Sequence, residues 1–193
     1  SIGLNLEIFH KVDKKNIYAY EKNKFARQKL KMKKVNIINK LDRFYNYFDI
    51  ILVTDVIEHV YDDLKLIRLI KKLINKKGIV LFTVPAHQFL FSKKDETLQH
   101  YRRYSYSGLR KLLSKEFKIN YLSYYNSLLF PLIAPIILIN KLLGKDLSKH
   151  ADSKPNLMIN FILFKIFSFE HIFIRNLIKL PLGLSLISIV SKK

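Results

Sequence analysis

The chain has 193 residues, of which 49% are apolar and 26% charged, so it can bury one good-sized core and does not have the composition of a disordered polypeptide. It contains no cysteine, which excludes disulfides, thiolate metal sites and a cysteine nucleophile. Its 35 basic and 15 acidic residues give a formal charge of +20. Such a charge is typical of proteins that bind polyanions, but lysines spread along the chain are also what an AT-rich genome produces.

Strands and helices alternate in the predicted structure of the first half. Residues 48–54 (FDIILVT) and 79–84 (IVLFTV) are continuous apolar runs, typical of strands buried on both faces of a sheet. Between them, residues 62–75 have helical spacing, with acids in the first turn and Lys76, Lys77 and Gly78 as the predicted end. Earlier elements are a helix at 4–12, a strand at 16–20, a helix at 23–32 and a strand at 34–39. This alternation predicts a doubly wound α/β sheet.

In such a sheet, ligands bind at the carboxyl ends of the strands. We therefore expect Glu21, Asn39, Asp55 and residues 86–88 to converge, although they lie far apart in the sequence.

The chain changes character after Pro85. Residues 87–104 are polar and aromatic, 105–117 form a predicted helix capped by Ser105 or Ser107, and 118–125 and 184–190 are predicted strands. Two apolar blocks, 128–143 and 157–180, lie between these strands. The first is shorter than the ~18 residues that a membrane span requires, and prolines interrupt it. The blocks either cover the sheet or form a surface that faces lipid, with lysines near the polar break between them at positions 141, 145, 149 and 154.

Several short motifs occur in a fixed order along the chain. The sequence DVIEH at 55–59 follows the strand that opens with FD at 48–49. After it come KG at 77–78, TVP at 83–85, HYRRYS at 100–105, NSLLFP at 126–131 and PLGLSL at 181–186. In this order and spacing the chain resembles the class I S-adenosylmethionine-dependent methyltransferases of the type 11/12-like group.

The resemblance implies a Rossmann-like doubly wound sheet that is mostly parallel, with an antiparallel final strand. It also implies one methyltransferase-like domain over 1–193: a cofactor-binding core at 1–125, an apolar helical insertion at 126–180 and the final strand at 181–193. The family opens with a strand and a glycine-rich turn, of which only Gly3 matches here. We therefore expect a chain truncated at its N-terminus, without the first strand and most of that turn.

Cofactor contacts follow from the resemblance. Gly3 would be the last glycine of the turn, and Glu21 would accept hydrogen bonds from the ribose hydroxyls of S-adenosylmethionine. Asn39 or Asp42 would accept from the adenine amino group, and Asp55 would line the methionine side. The alternatives are a surface acid at Glu21 and ordinary loop residues at 39 and 42.

Catalytic and acceptor-binding candidates lie in two polar stretches. His59 is suited to act as a general base for a hydroxyl acceptor, and His100 is a second catalytic candidate. Glu58 and His59 also suit structural caps or a metal site, but the sequence shows no second cluster of histidines and acids, so no metal is predicted. The predicted substrate-binding group, which suits a carboxylate or phosphate, is His87, Arg102, Arg103 and Tyr104. The alternative is a solvated basic surface.

The sequence thus predicts an enzyme that uses S-adenosylmethionine to methylate a small-molecule or lipid-linked acceptor. We expect it in the cytoplasm or at the inner face of the membrane, with peripheral membrane contact and no nucleic-acid partner. The alternatives are a non-catalytic or degenerate membrane-peripheral fragment and a basic nucleic-acid-binding module. No basic helix, zinc-ligand spacing or aromatic RNA-binding motif supports the last of these.

Overall fold

The computed structural model describes residues 12–21, 23–33, 35–144 and 157–193. The chain divides into two compact units, Ser1–Tyr45 and Asn46–Lys193. The helix predicted at 4–12 lies almost entirely outside the described residues, as does Gly3. The division of one domain into segments 1–125, 126–180 and 181–193 stays a prediction.

The first unit contains a two-stranded parallel sheet. Strands β1 (Tyr18–Tyr20) and β2 (Asn36–Ile38) pair in parallel, and helix α1 (Lys24–Met32) connects them. The side chain of Asn23 caps α1 by accepting hydrogen bonds from the backbone N–H groups of Phe25 and Ala26. These elements confirm the predicted strand, helix and strand, although both strands are shorter than expected.

The second unit is built on a four-stranded sheet in the order β3–β4–β6–β5, with bounds Phe48–Thr54, Ile74–Pro85, Ser185–Lys192 and Phe117–Tyr125. Strands β3 and β4 are parallel, whereas β6 is antiparallel to both β4 and β5. Consequently β3, β4 and β5 run in one direction and their carboxyl ends meet at one edge. This confirms the predicted mixed sheet with an antiparallel final strand.

The described residues of the second unit form five α-helices: α2 (Asp63–Leu73), α3 (Lys93–Thr97), α4 (Tyr106–Ser114), α5 (Phe130–Leu142) and α6 (Leu157–Arg175). Ser105 is the N-cap of α4, which resolves the choice between Ser105 and Ser107. The core joins apolar side chains of the sheet to those of α2 and α4, including Ile67, Val80, Phe82 and Leu113.

Gly78 does not end a helix, so the prediction for residues 76–78 is wrong. Helix α2 ends at Leu73, and β4 begins at once with Ile74. A Cβ atom at Gly78 would lie 2.9 Å from the carbonyl oxygen of Asp49, beside the register shift between Phe48 and Ile50. Glycine is therefore required here by the close approach of two strands rather than by a helix stop.

Helices α5 and α6 expose most of their apolar side chains. The most exposed include Leu142 (86%), Met158 (68%), Leu132 (64%) and Phe164 (64%). No helix among the described residues is long and apolar enough to cross a bilayer. Within α6, Glu170 is buried and both of its carboxylate oxygens accept a hydrogen bond from the backbone N–H of Ser127 at 3.0 Å. This contact fixes α6 to the segment between β5 and α5.

Gly183 supplies a test of the packing between the segment before β6 and the end of β5. A Cβ atom at Gly183 would overlap the carbonyl oxygen of Tyr125. We expect Gly183→Ala to lower the free energy of unfolding by about 2 kcal/mol, measured by urea denaturation. The control is Gly144→Ala, because no atom lies within 4 Å of that Cβ position and only its positive φ of 63° is unfavourable, at about 1 kcal/mol. Equal losses in the two variants would contradict the overlap.

Candidate active site at the carboxyl edge of the sheet

Three turns with positive φ leave the carboxyl edge of the sheet in the second unit. Asp55 (φ 52°) follows β3, His87 (φ 64°) lies just beyond β4, and Asn126 (φ 59°) follows β5. Left-handed backbone is uncommon outside glycine, and it marks places where the surroundings fix the chain. The edge expected to bind ligands is therefore one where the surroundings fix the backbone at the end of each of three strands.

Asp55 is held against the neighbouring strand. Its backbone N–H donates to the carbonyl of Thr83 at 3.0 Å, and its carboxylate accepts from the Thr83 hydroxyl at 3.2 Å. The residue itself is exposed. An exposed carboxylate with a fixed backbone thus stands at the end of β3.

Glu58 lies in the 3₁₀ turn Ile57–His59 directly after this point, and its exposed fraction is 0%. Neither of its carboxylate oxygens has a hydrogen-bond partner among the described residues. Burial raises the pKa of Glu58 to about 8. Its own backbone N–H lowers this pKa, whereas the negative charges of Asp55 and Asp95 raise it further. A buried acid without a partner is rare in proteins and calls for an explanation.

His59 and His100 contact each other beside Glu58. Their ring centroids are 4.5 Å apart, with the planes at 78°. Burial lowers the pKa of His59, and the charge of His100 lowers it further. One ligand-type atom from each of Glu58, His59 and His100 lies within 4.8 Å of the others. The structure therefore brings both predicted catalytic histidines together with a buried carboxylate.

The carboxylate of Asp95 accepts several hydrogen bonds beside His100. Its exposed fraction is 2%, and it accepts from Nε and Nη2 of Arg103 at 2.8 and 2.9 Å. It also contacts Nδ1 of His100 at 3.0 Å and accepts from the backbone N–H of Ser92 at 2.9 Å. Burial alone would raise the pKa of Asp95, but Arg103 and His100 outweigh it and hold that pKa below its usual range.

Arg102 and Tyr104 share a different acid, Asp63. Arg102 Nη1 donates to the Asp63 carboxylate at 3.0 Å, and the Tyr104 hydroxyl donates to the same oxygen at 2.9 Å. Arg102 Nη2 also donates to the carbonyl of Tyr61 at 2.7 Å. The structure thus gives Arg102, Arg103 and Tyr104 acidic partners within the chain, and their role in acceptor binding stays a prediction.

His87 lies among aromatic rings at the end of β4. It stacks on Tyr124 with centroids 5.1 Å apart, and its ring is 5.3 Å from Phe130 at the start of α5. Burial lowers the pKa of His87, and Nε2 has no partner among the described residues. Its backbone N–H donates to the carbonyl of Tyr104 at 2.9 Å. The predicted acceptor residues 87 and 104 are therefore neighbours.

The remaining cofactor candidates belong to the first unit. Glu21 and Asn39 follow the carboxyl ends of paired strands β1 and β2, so they stand at the same edge of that sheet. One Glu21 oxygen accepts from the backbone N–H of Asn23 at 2.8 Å, and Asn39 accepts from the Arg27 guanidinium. Asp42 lies in the exposed first part of the turn Leu41–Phe44. The choice between Asn39 and Asp42 stays open.

Sequence reasoning missed Asp95 and the pairing role of Asp63. The signal for Asp95 was present, because Ser92 and Asp95 form a capping box at the start of α3. The sequence placed Asp63 correctly in the first turn of a helix. Its pairing with Arg102 and Tyr104, about forty positions later, carries no local pattern.

Comparison with known proteins assigns the family. A family model described as a methyltransferase domain matches residues 2–120, more than half of the chain. The chain therefore belongs to this methyltransferase family. No curated protein sequence matches it.

Solved structures support the fold. An S-adenosylmethionine-dependent methyltransferase from Mesorhizobium loti aligns over 99% of this chain and 87% of its own, with 9% identity and a TM-score of 0.60. One from Archaeoglobus fulgidus aligns over 91% and 75%, with 13% identity and a TM-score of 0.52. Phosphoethanolamine N-methyltransferase 2 of Haemonchus contortus, in complex with S-adenosylmethionine, aligns over 100% and 46%, with 16% identity and a TM-score of 0.55.

Family and fold together confirm a class I methyltransferase with a Rossmann-like fold, an enzyme class whose cofactor is S-adenosylmethionine. The described residues fit this cofactor as hydrogen-bond acceptors. Glu21 and Asp55 are carboxylates placed directly after strand ends, and each has a backbone N–H or hydroxyl contact that fixes its position. Carboxylates at such positions accept hydrogen bonds from hydroxyl and ammonium groups of a nucleoside ligand.

The buried contacts of Asp95 generate a stability prediction. The exposed fractions of the Asp95 and Arg103 side chains are 3% and 11%, so removing the acid leaves a buried guanidinium unpaired. We expect Asp95→Asn to lower the free energy of unfolding by about 3 kcal/mol or more. Glu96→Gln is the matched control on the exposed side of the same helix and should change it by less than about 0.5 kcal/mol. Urea denaturation measures both, and an equal effect in the two variants would contradict a buried ion pair.

Proposed function

We propose that this protein transfers a methyl group from S-adenosylmethionine to a small-molecule or lipid-linked acceptor, with lipid-linked molecules the better fit. The observation that carries the second part is the position of α5. His87, just beyond the end of β4, packs against Phe130, the first residue of α5. At the other end of α5, Lys141 donates to the carbonyl of Phe89 at 3.2 Å. An exposed apolar helix thus lies directly beside the candidate active site.

The roles of the chain's own residues follow from their positions. Glu21 binds the ribose hydroxyls, Asn39 or Asp42 binds the adenine amino group, and Asp55 orients the methionine part. When bound, the cofactor supplies an activated methyl group on a sulfonium. The protein then has mainly to position the acceptor for in-line attack, so the reaction requires no covalent intermediate on a side chain.

The acceptor would lie between the carboxyl edge of the sheet and residues 87–104. His59 and His100 are the candidates to contact its reacting group, since His59 directly follows Glu58 and the His100 ring lies against that of His59. His87, Arg102, Arg103 and Tyr104 are the candidates to bind the rest of the acceptor. Arg102 is the most suitable of these for an anionic acceptor, because 30% of its side chain is exposed against 11% for Arg103.

Charge supports an anionic lipid surface as the partner of α5 and α6. The only acid in these two helices is Glu170, and it is buried. The cationic residues Lys141, Lys165 and Arg175 interrupt otherwise apolar surfaces. Apolar side chains with flanking cations are typical of helices that lie in the headgroup region of anionic bilayers. Large exposed apolar patches are typical of surfaces that bind a partner or a membrane.

Flotation with phosphatidylglycerol–phosphatidylcholine vesicles tests this surface. Leu142 on α5 and Phe164 on α6 are 86% and 64% exposed. We expect the double variant Leu142→Ser, Phe164→Ser to bind vesicles about tenfold more weakly or worse, because burying each side chain contributes up to about 1.5–3 kcal/mol. The matched control is Phe25→Ser, Met32→Ser on α1, whose side chains are 61% and 73% exposed.

Methyl transfer and the lipid-linked nature of the acceptor are tested by different outcomes of one experiment. Labelled S-adenosylmethionine incubated with the protein and a bacterial extract should place its methyl label in the organic phase. Label only in the aqueous phase would contradict the lipid-linked acceptor. In the flotation experiment, a protein that is dimeric and binds no vesicles would assign the apolar surface of α5 and α6 to contact with a second copy of the chain. No label in either phase would contradict methyl transfer itself.

A further inference from the structure

The starting point is the carboxylate of Glu58, which is fully buried and has no hydrogen-bond partner among the described residues. A buried carboxyl group without a partner either keeps its proton or takes up a counter-charge, because an isolated buried charge strongly destabilises a fold. The neighbouring cationic side chains do not serve this purpose, since Arg103 is paired with Asp95 and Arg102 with Asp63. We propose that Glu58, His59 and His100 together bind a divalent transition-metal ion of the Zn²⁺ type.

The distances suit one ion. One ligand-type atom from each of the three side chains lies within 4.8 Å of the others. Around a tetrahedral ion with bonds of about 2.1 Å, ligand atoms lie about 3.4 Å apart, so each of three atoms at most 4.8 Å apart has to move inward by less than about 1 Å. Side-chain adjustments of under about 1 Å therefore bring all three atoms into the coordination sphere.

Asp95 orients one of the ligands. Its Oδ1 atom lies 3.0 Å from Nδ1 of His100, and its other contacts come from the Arg103 guanidinium and the Ser92 backbone. An acid held in this way accepts the Nδ1 proton of His100. The lone pair of Nε2 is then directed to the ion, as in the carboxylate–histidine–metal arrangement found around protein metal sites.

The backbone also fixes the two segments that carry the ligands. The N–H of Tyr101 donates to the carbonyl of Glu58 at 2.8 Å, and the N–H of His100 donates to the carbonyl of Asp95 at 2.9 Å. The ring contact between His59 and His100 adds a third connection. The three ligands are thus placed by the fold before an ion binds.

The ligand set selects the kind of ion. Two imidazoles and one carboxylate suit Zn²⁺, Co²⁺, Ni²⁺ or Fe²⁺, whereas Mg²⁺ and Ca²⁺ prefer oxygen ligands. Three protein ligands also leave at least one coordination position for water or another oxygen ligand. In this arrangement the two histidines bind the ion instead of acting as free bases, so metal binding and the base role predicted for His59 are alternatives.

Cobalt titration of the chelator-treated protein tests the proposal without any activity measurement. We expect one Co²⁺ per chain with visible absorption bands, displaced by Zn²⁺. His59→Ala, His100→Ala and Glu58→Gln should each weaken binding by about tenfold or more. The matched controls are His171→Ala on the exposed part of α6 and Glu96→Gln on α3, which should bind as the wild type does.

Thermal unfolding keeps the test decisive if an alanine variant folds poorly. Glu58→Gln keeps the size of the side chain and cannot ionise, so we expect the metal-free variant to melt no lower than the metal-free wild type. Zn²⁺ should then raise the melting temperature of the wild type and leave that of Glu58→Gln unchanged. The absence of Co²⁺ binding, or binding that none of the three substitutions weakens, would overturn the proposal.

Discussion

The candidate active site depends on the hydrogen bonds and the ion pair made by the buried carboxylate of Asp95. It is buried, and it gathers contacts from the Arg103 guanidinium, the His100 imidazole and the Ser92 backbone. These partners come from both ends of a polar stretch that has no strand of its own. These contacts fold the stretch onto itself, and the hydrogen bond from the Tyr101 N–H to the Glu58 carbonyl attaches it beside the end of β3.

A second consequence concerns the balance of charge at this edge. Asp55, Glu58, Asp63 and Asp95 bring four carboxylates to one region, and two arginines pair with Asp63 and Asp95. Glu58 has no such partner, and burial raises its pKa to about 8. The local excess of acid contrasts with the chain's overall charge of +20. Most of the basic excess therefore says little about the site, whereas the cations on α5 and α6 bear on what those helices contact.

The sequence predicted those parts of the fold that depend on local patterns. Continuous β-branched runs located β3 and β4, helical spacing located α2, and the motif order indicated the family and the antiparallel β6. The prediction that Gly78 ends a helix was wrong, because this glycine is required by its close contact with the Asp49 carbonyl on another strand. Sequence reasoning missed Asp95 although the Ser92–Asp95 capping box is a local pattern, and the pairing of Asp95 with Arg103 has no local pattern at all. Its partner Arg103 lies in a segment without periodicity, and side-chain pairing there is decided by tertiary structure rather than by sequence pattern.

We propose that this methyltransferase holds its cofactor through carboxylates at strand ends. Calorimetric titration of the whole chain with S-adenosylmethionine tests this most directly, using Glu21→Gln and Asp55→Asn beside the control Glu96→Gln. We expect saturable binding, weakened about tenfold or more in both carboxylate variants and unchanged in the control. No saturable heat, or equal affinity in all the proteins, would contradict it.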